Sequence, residues 1–357
     1  MSGLDDIIAA ETRLSEVDGL NGRLVICGHS LDALAGQRSF ESVLALLLPD
    51  VLSSSEEAVR AELAQARLRA FREVARLDTD LLSLSLTEAL RALMARLPDG
   101  EDKSVALLQI AAPAAFVPAL IRAKAGRKPI PPHTGRSHAA DMLAMLTGDQ
   151  PGEEHISALD TYLVTVSDHG LNASTFTARV VASTRAGYAS AVLAALGALK
   201  GPLHGGAPGP VLDMLDAVAT PDNATAWVAG EISRGERLMG FGHRIYRVRD
   251  PRADALKSAL GRLSAVGGMD ASRLALAEAV ERAALAALRA AKPDRVLETN
   301  VEFFTALLLE ALGFPRDAFT GVFAAGRVGG WVAHAHEQIQ TGRLIRPQSR
   351  YVGPKAA

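Results

Sequence analysis

Along most of this chain apolar residues recur three and four positions apart, in segments dominated by alanine, leucine, arginine and glutamate, and that spacing predicts helix. Ser53, with Glu56 three residues later, resembles a capping box ahead of a helical pattern that runs to Arg76. Pro129, Pro131 and Pro132 then force an irregular connection. Further helices are predicted over Ala139 to Leu146, Ile156 to Thr165 and Thr175 to Leu199, the last rich enough in alanine to pack closely. A second set follows His204, at Pro210 to Val218, Ala224 to Gly235, Ala253 to Ala265 and Ser272 to Ala291. The pattern from about Val301 to Leu312 stops at Gly313, with Pro315 beyond. Strands are expected to be few. Ile7 to Thr12 and Arg23 to Cys27 flank the turn-like Asp18-Gly19-Leu20-Asn21-Gly22, which predicts a short amino-terminal hairpin in an otherwise all-α protein.

Two apolar stretches, near Ile110 to Ile121 and Ala189 to Leu199, read as too short to span a bilayer, and the first holds Pro113 and Pro118. Met1 to Arg13 carries Asp5, Asp6 and Glu11 before its first basic residue, unlike a secretory signal or an arginine-rich transit peptide. With 357 residues, 48% hydrophobic and 22% charged, the chain can bury a large core and has room for two domains. Its 38 Lys+Arg against 40 Asp+Glu leave a formal charge of −2. That balance gives no global attraction to nucleic acid or an anionic membrane, so an anionic ligand has to be held by local arginines. Cys27 is the single cysteine, which excludes an internal disulfide or multi-cysteine metal site and fits a reducing compartment. A cytoplasmic location, with no membrane or nucleic-acid partner, is the expectation.

Against this helical background three histidines stand in glycine-rich or helix-breaking settings: Asp168-His169-Gly170-Leu171-Asn172, Gly201-Pro202-Leu203-His204-Gly205-Gly206 and Gly240-Phe241-Gly242-His243-Arg244. Neighbouring glycine removes bulk and permits unusual backbone angles, so an imidazole can reach a ligand while adjacent N–H groups stay accessible. A lone histidine is more often a satisfied structural group; three punctuated in this way point to a site. Glu302 falls in the first turn of the Val301 to Leu312 pattern. Its carboxylate either complements the helix dipole or points into a dry cleft among Val301, Phe303 and Phe304, where desolvation raises its proton affinity and suits it to general-base work. Zinc is disfavoured, because HExxH is missing and His334 and His336, two apart on a helix, point in different directions. Gly240-Phe241-Gly242 starts like a dinucleotide fingerprint but lacks the third glycine.

Arginines supply the other half. Arg244, Arg247, Arg249 and Arg252 crowd the segment after His243, where Asp250-Pro251 breaks any long helix, and guanidinium forks match carboxylates and phosphates. Arg327 sits among the small and apolar residues of Ala325 to Trp331, a setting that predicts a buried anionic partner. Arg346, beside Pro347 in the tail, reads equally well as a surface or a functional residue.

Taken in order, Gly-Pro-Leu-His-Gly-Gly at 201–206, Gly-Phe-Gly-His-Arg at 240–244 with Asp250-Pro251-Arg252 downstream, Asn-Val-Glu-Phe at 300–303 and the Arg327 to Trp331 segment resemble the signature segments of citrate synthases. The resemblance extends to Asp-His-Gly-Leu-Asn-Ala-Ser-Thr at 168–175 and, more loosely, to Glu11-Thr12-Arg13-Leu14-Ser15, so it covers nearly the whole chain. The length is similar to the shorter form of the family, without the extra amino-terminal domain of some members. It implies an almost all-α homodimer in which a large helical domain, residues 1–206 and 313–357, closes on a small helical domain at 207–312.

The resemblance also implies a reaction: acetyl-CoA condenses with oxaloacetate, and the citryl thioester is hydrolysed to citrate and CoA, with no metal or other cofactor. His204 would hydrogen-bond the thioester carbonyl while Glu302 removes a methyl proton, and His243 would polarise the ketone. Oxaloacetate carboxylates would meet His169, Arg252, Arg327 and, from the neighbouring subunit, Arg346; Arg247 matches a CoA-contacting position. Glu302 departs from the aspartate common in the family, and a displacement on the order of 1 Å can cost roughly a hundredfold in rate if the scaffold does not compensate. The stretch from Ser104 to Ala125 diverges, and no ligand contact maps onto it. Propionyl-CoA as substrate, a 2-methylcitrate synthase, is the nearest alternative, because one methyl in an apolar pocket is worth only about 1–3 kcal/mol. Citryl-CoA cleavage and a non-catalytic helical scaffold are further alternatives. The intact Pro202-Leu203-His204 argues against the first, and the placed histidines with Arg327 argue against the second.

Overall fold

The structure, a computed structural model, describes residues 7–202, 204, 208–243 and 245–354; Leu203, Gly205, Gly206 and Arg244 of the motifs above lie outside the described residues. Strands β1 (Ser15–Asp18) and β2 (Arg23–Ile26) pair antiparallel from Ser15↔Ile26 to Asp18↔Arg23, and β3 (His29–Ser30) adds to β2. The turn is where the sequence predicts it, but the first strand is not at Ile7 to Thr12. Asp18 Oδ1 accepts from the N–H groups of Leu20 and Asn21 (3.2 and 3.1 Å), which tightens the turn and makes the residues immediately before it the partner of β2. Ile7 and Ile8 lie outside the sheet and are exposed.

Sixteen α-helices follow among the described residues. Before His204 come α1 (Leu31–Leu34), α2 (Phe40–Leu47), α3 (Glu56–Phe71), α4 (Thr79–Ser83), α5 (Leu86–Met94), α6 (Lys103–Lys124), α7 (His138–Thr147), α8 (Glu153–Val166), α9 (Ala173–Ala182) and α10 (Tyr188–Leu199). After it come α11 (Pro208–Val218), α12 (Ala224–Ser233), α13 (Pro251–Ala265), α14 (Ala271–Ala291), α15 (Val301–Ala311) and α16 (Phe319–Thr341). The cap of α3 is Ser55, whose Oγ accepts from Ala58 N–H (3.2 Å). Ser53 instead donates to Glu62, and the pattern through Arg76 finishes as a 3₁₀ turn at Arg72–Arg76.

Two expectations of continuity are corrected. The stretch from Thr175 to Leu199 is two helices, because Asp99 caps α10 from outside, accepting from Ala189 and Ser190 N–H (2.9 and 3.0 Å). Gly187, at φ 97°, lies against that carboxylate where a Cβ would collide with it, and Arg185 beside the break is also left-handed, at φ 66°. Conversely, the apolar stretch near Ile110 to Ile121 belongs to the 22-residue α6, which is long and apolar enough to cross a membrane. It is a core helix: 94% of its most apolar window is buried against the surrounding helices. Interior proline costs a helix about 3 kcal/mol; here every residue from Val105 to Ile121, Pro113 and Pro118 included, is buried, and tertiary packing overrides that local preference.

Packed on this core, α16 is the element that positions the site. Gly326 and Gly330 bring it against the end of α8, where a Cβ at 326 would lie 3.3 Å from the Leu163 backbone. That approach sets Arg327 at the carboxyl end of α8.

Candidate active site

Asp250 organises one wall. As the cap of α13 its Oδ1 accepts from Arg252 N–H and from Arg252 Nε (3.0 Å each), while Oδ2 accepts from Arg252 Nη2 (2.8 Å) and from Val301 N–H (3.2 Å). One carboxylate therefore fixes the Arg252 guanidinium and ties the start of α13 to the start of α15. Asn300, the cap of α15, accepts from Glu302 N–H (3.0 Å) and donates through Nδ2 to Gly242 O (2.8 Å). These bonds bring His243, Arg252 and Glu302 together although the sequence separates them.

At His243 both ring nitrogens face donors. Nδ1 accepts from the N–H groups of Ile245 and Tyr246 (3.0 Å each), and Nε2 lies 3.1 Å from Arg252 Nη2. Burial first, and Arg252 next, push its pKa down to about 4, so the ring is neutral near pH 7 with its proton on Nε2. His243 Nε2–H and Arg252 Nη2 are then two donors 3.1 Å apart, and neither can accept from the other. Two donors so placed are satisfied by an acceptor oxygen reaching both. The buried His169 ring lies edge-on to His243 (5.9 Å between centroids), with Nε2 3.0 Å from Tyr246 Oη. Burial, with Arg252 and Arg327 contributing, holds its pKa well below the usual histidine value.

His204 Nε2 lies 2.8 Å from Ser174 Oγ, which accepts from Trp331 Nε1–H (3.1 Å). Burial and then Arg327 push the His204 pKa down to about 4. Arg327 is itself buried, its Nε donating to Val166 O and its guanidinium 5.0 Å above the Phe323 ring. The buried anion expected from the sequence is nearby but not in direct contact: Asp168 attracts Arg327 electrostatically without a direct ion pair among the described residues, and the terminal carbonyl of α8 takes the Nε hydrogen bond. Burial lowers its pKa to about 10, against the attraction of the buried Asp168 carboxylate and, more weakly, of Glu302, neither of which forms a direct ion pair with it among the described residues. The Glu302 carboxyl is pushed up to about 7, chiefly by burial; Arg252 and Arg327 pull it down and Asp250 pushes it up.

His169, His204, His243, Arg252, Glu302 and Arg327 thus form one connected site. Arg247 and Arg346 do not join it within one chain: Arg247 is exposed, with its backbone N–H bonded to Gly19 O, and Arg346 lies on the exposed 342–354 tail. His334 and His336 do diverge, to Asp168 (3.1 Å) and to Tyr188 Oη (2.8 Å). Among the described residues no three His, Cys, Asp or Glu side chains are grouped to hold a metal. Sequence reasoning missed Ser174, Tyr246, Trp331 and the role of Asp250. A signal existed for one of them, since Asp250 stands just before Pro251, where a helix cap is expected.

A mostly helical scaffold that gathers neutral imidazoles, a buried arginine and a carboxyl of raised proton affinity is suited to acid–base chemistry. Residues 3–348 match the family described as citrate synthase, C-terminal domain, and the chain belongs to the citrate synthase family, hence to the transferases. It is 38% identical to the citrate synthase of Haloferax volcanii, over 99% of this chain and 96% of that one. It is 34% identical to the 2-methylcitrate synthase of Mycobacterium tuberculosis, over 98% and 90%. The citrate synthase of Thermoplasma acidophilum, solved as a ternary complex with carboxymethyl coenzyme A and oxaloacetate, superposes with a TM-score of 0.85 at 30% identity, covering 99% of this chain and 96% of that one. The family supports the condensing reaction, while relatives of both names leave the acyl ester to be determined.

Proposed function

We propose that the site condenses acetyl-CoA with oxaloacetate and hydrolyses the resulting thioester to citrate and CoA. The observation that supports this reading is the pair of donors His243 Nε2–H and Arg252 Nη2, 3.1 Å apart, in the same electrostatic neighbourhood as the buried Arg327. A keto acid with two carboxylates supplies acceptors for these donors, its ketone oxygen toward His243 and its carboxylates toward Arg252, Arg327 and His169.

Glu302 is the base. With a pKa near 7 it is ionised in a useful fraction at neutral pH, and it is a stronger base than an ordinary glutamate. As it takes a proton from the acetyl methyl, charge develops on the thioester oxygen, which His204 stabilises by donating from Nδ1. That requires the Ser174 hydroxyl to donate to His204 Nε2 (2.8 Å) in place of Asn172 Oδ1, which lies equally near at 2.8 Å and also receives the N–H groups of Ser174 and Thr175 (3.1 Å each). The enol carbon then bonds to the ketone carbon, and the ketone oxygen takes the His243 proton. Water finally cleaves the C–S bond, releasing citrate and the CoA thiol. In the same reading residues 207–312 close on the remainder, Arg247 meets CoA, and Arg346 of a second subunit completes the oxaloacetate pocket.

Free-thiol release from acetyl-CoA or propionyl-CoA, with and without oxaloacetate, tests the assignment. The expected result is oxaloacetate-dependent release with kcat/KM for acetyl-CoA at least about tenfold above propionyl-CoA, the scale of one methyl in an apolar pocket. Preference for propionyl-CoA would make the chain a 2-methylcitrate synthase, and no release from either ester would remove the catalytic reading.

A further inference from the structure

The amino-terminal hairpin holds none of the reacting groups, yet it touches both loops that carry the paired histidines. Ser15 Oγ, at the start of β1, accepts from Gly170 N–H (2.9 Å), the residue after His169, and hydrogen-bonds the Asp168 carboxylate before it. At the turn, Gly19 O accepts from Arg247 N–H (2.8 Å). The approach there is tight: a Cβ on Gly19 would lie 2.5 Å from the Ile245 carbonyl oxygen and 2.8 Å from Ile245 Cγ2.

The peptide unit joining Ile245 to Tyr246 connects this contact to the chemistry. Its oxygen faces Gly19, and its N–H donates to His243 Nδ1 (3.0 Å). The Tyr246 side chain then reaches His169 Nε2 (3.0 Å), and His169 leads back through Gly170 to Ser15. The result is a closed circuit in which one short strand and its turn grip both imidazoles from behind. The arm itself is anchored, with Leu24 and Ile26 in the core and Arg13 N–H donating to Glu337 on α16 (2.9 Å).

We infer that the hairpin at residues 15–26 is the positioning element for the His169–His243 pair, with Ser15 setting His169 and Gly19 setting His243 through the 245–246 peptide. The kinetic consequences rest on the condensation reading above, whereas the ring geometry does not. A methyl at position 19 cannot be accommodated by a side-chain shift, because the atom it meets is a backbone oxygen. The peptide, and with it the donor to His243, has to move.

The test uses Gly19→Ala, Ser15→Ala, the conservative Ser15→Thr and, as a control on the exposed face of the same strand, Glu16→Ala. Side-chain NMR of the histidine rings in the labelled full chain, without substrate, should show the His243 resonances shifted in Gly19→Ala and those of His169 shifted in Ser15→Ala. Ser15→Thr and Glu16→Ala should match the parent. In turnover assays the two disruptive variants should raise KM for oxaloacetate by about tenfold, the scale of a small misplacement of binding groups, with KM for the CoA ester within twofold of the parent. Unchanged ring resonances in both disruptive variants would overturn the inference. So would a uniform loss in kcat and both KM values that tracks a lowered melting temperature. If the parent releases no thiol, the reaction assignment fails while the ring resonances still decide the role of the hairpin.

Discussion

At the scale of single residues, the site depends on burial shifting ordinary side chains in opposite directions. Three imidazoles are held neutral, which makes each a donor at one nitrogen, and one carboxyl is raised to about 7, which makes it a competent base. Because Glu302 must be ionised to act and its pKa is raised, kcat/KM should fall as pH drops through about 7; a profile flat to pH 5 would contradict the assignment. Ser174→Ala should lower kcat about tenfold, the scale of one hydrogen bond, by removing the group that fixes the His204 tautomer. Oxaloacetate binding, measured by calorimetry, should be unaffected. The three histidines, Glu302, Arg252 and Arg327 were legible because chemistry-bearing residues stood in glycine-rich or apolar surroundings. Ser174 and Tyr246 were not, since a serine or tyrosine acquires a role only through what folding places beside it. Arg327 shows the same limit: its setting announced burial correctly, but its partner is a backbone carbonyl that no sequence pattern displays.

At the scale of elements, helices with regular apolar spacing were legible, and those from Pro208–Val218 to Val301–Ala311 lie within a few residues of their predicted bounds. The failures occur where a distant group decides. The break after α9 exists because Asp99, in the connection between α5 and α6, caps α10, and α6 runs through two prolines because the core encloses it. Gly187→Ala should therefore destabilise the fold by about 1–3 kcal/mol, the usual cost of a strained backbone position. Urea titration should show a lowered midpoint with an unchanged slope, and an unchanged midpoint would mean that the break does not depend on this glycine.

At the scale of the whole molecule, the site is assembled from separate segments strung along the chain from His169 to Arg327: the turn after α8, the segment of His204 after α10, the loop before α13, the start of α15 and the middle of α16. No short stretch could hold it. The central claim is that this assembly places a carboxylate base beside a pocket for a keto acid. Oxaloacetate-dependent thiol release from acetyl-CoA, compared between the parent and Glu302→Gln, tests it most directly. The amide keeps the size of the side chain but cannot accept the methyl proton. Turnover should fall by at least about a hundredfold, on the usual scale of general-base effects, while the calorimetric affinity for oxaloacetate stays within threefold. Thiol release by Glu302→Gln at the parental rate would contradict the account and remove proton abstraction from this site.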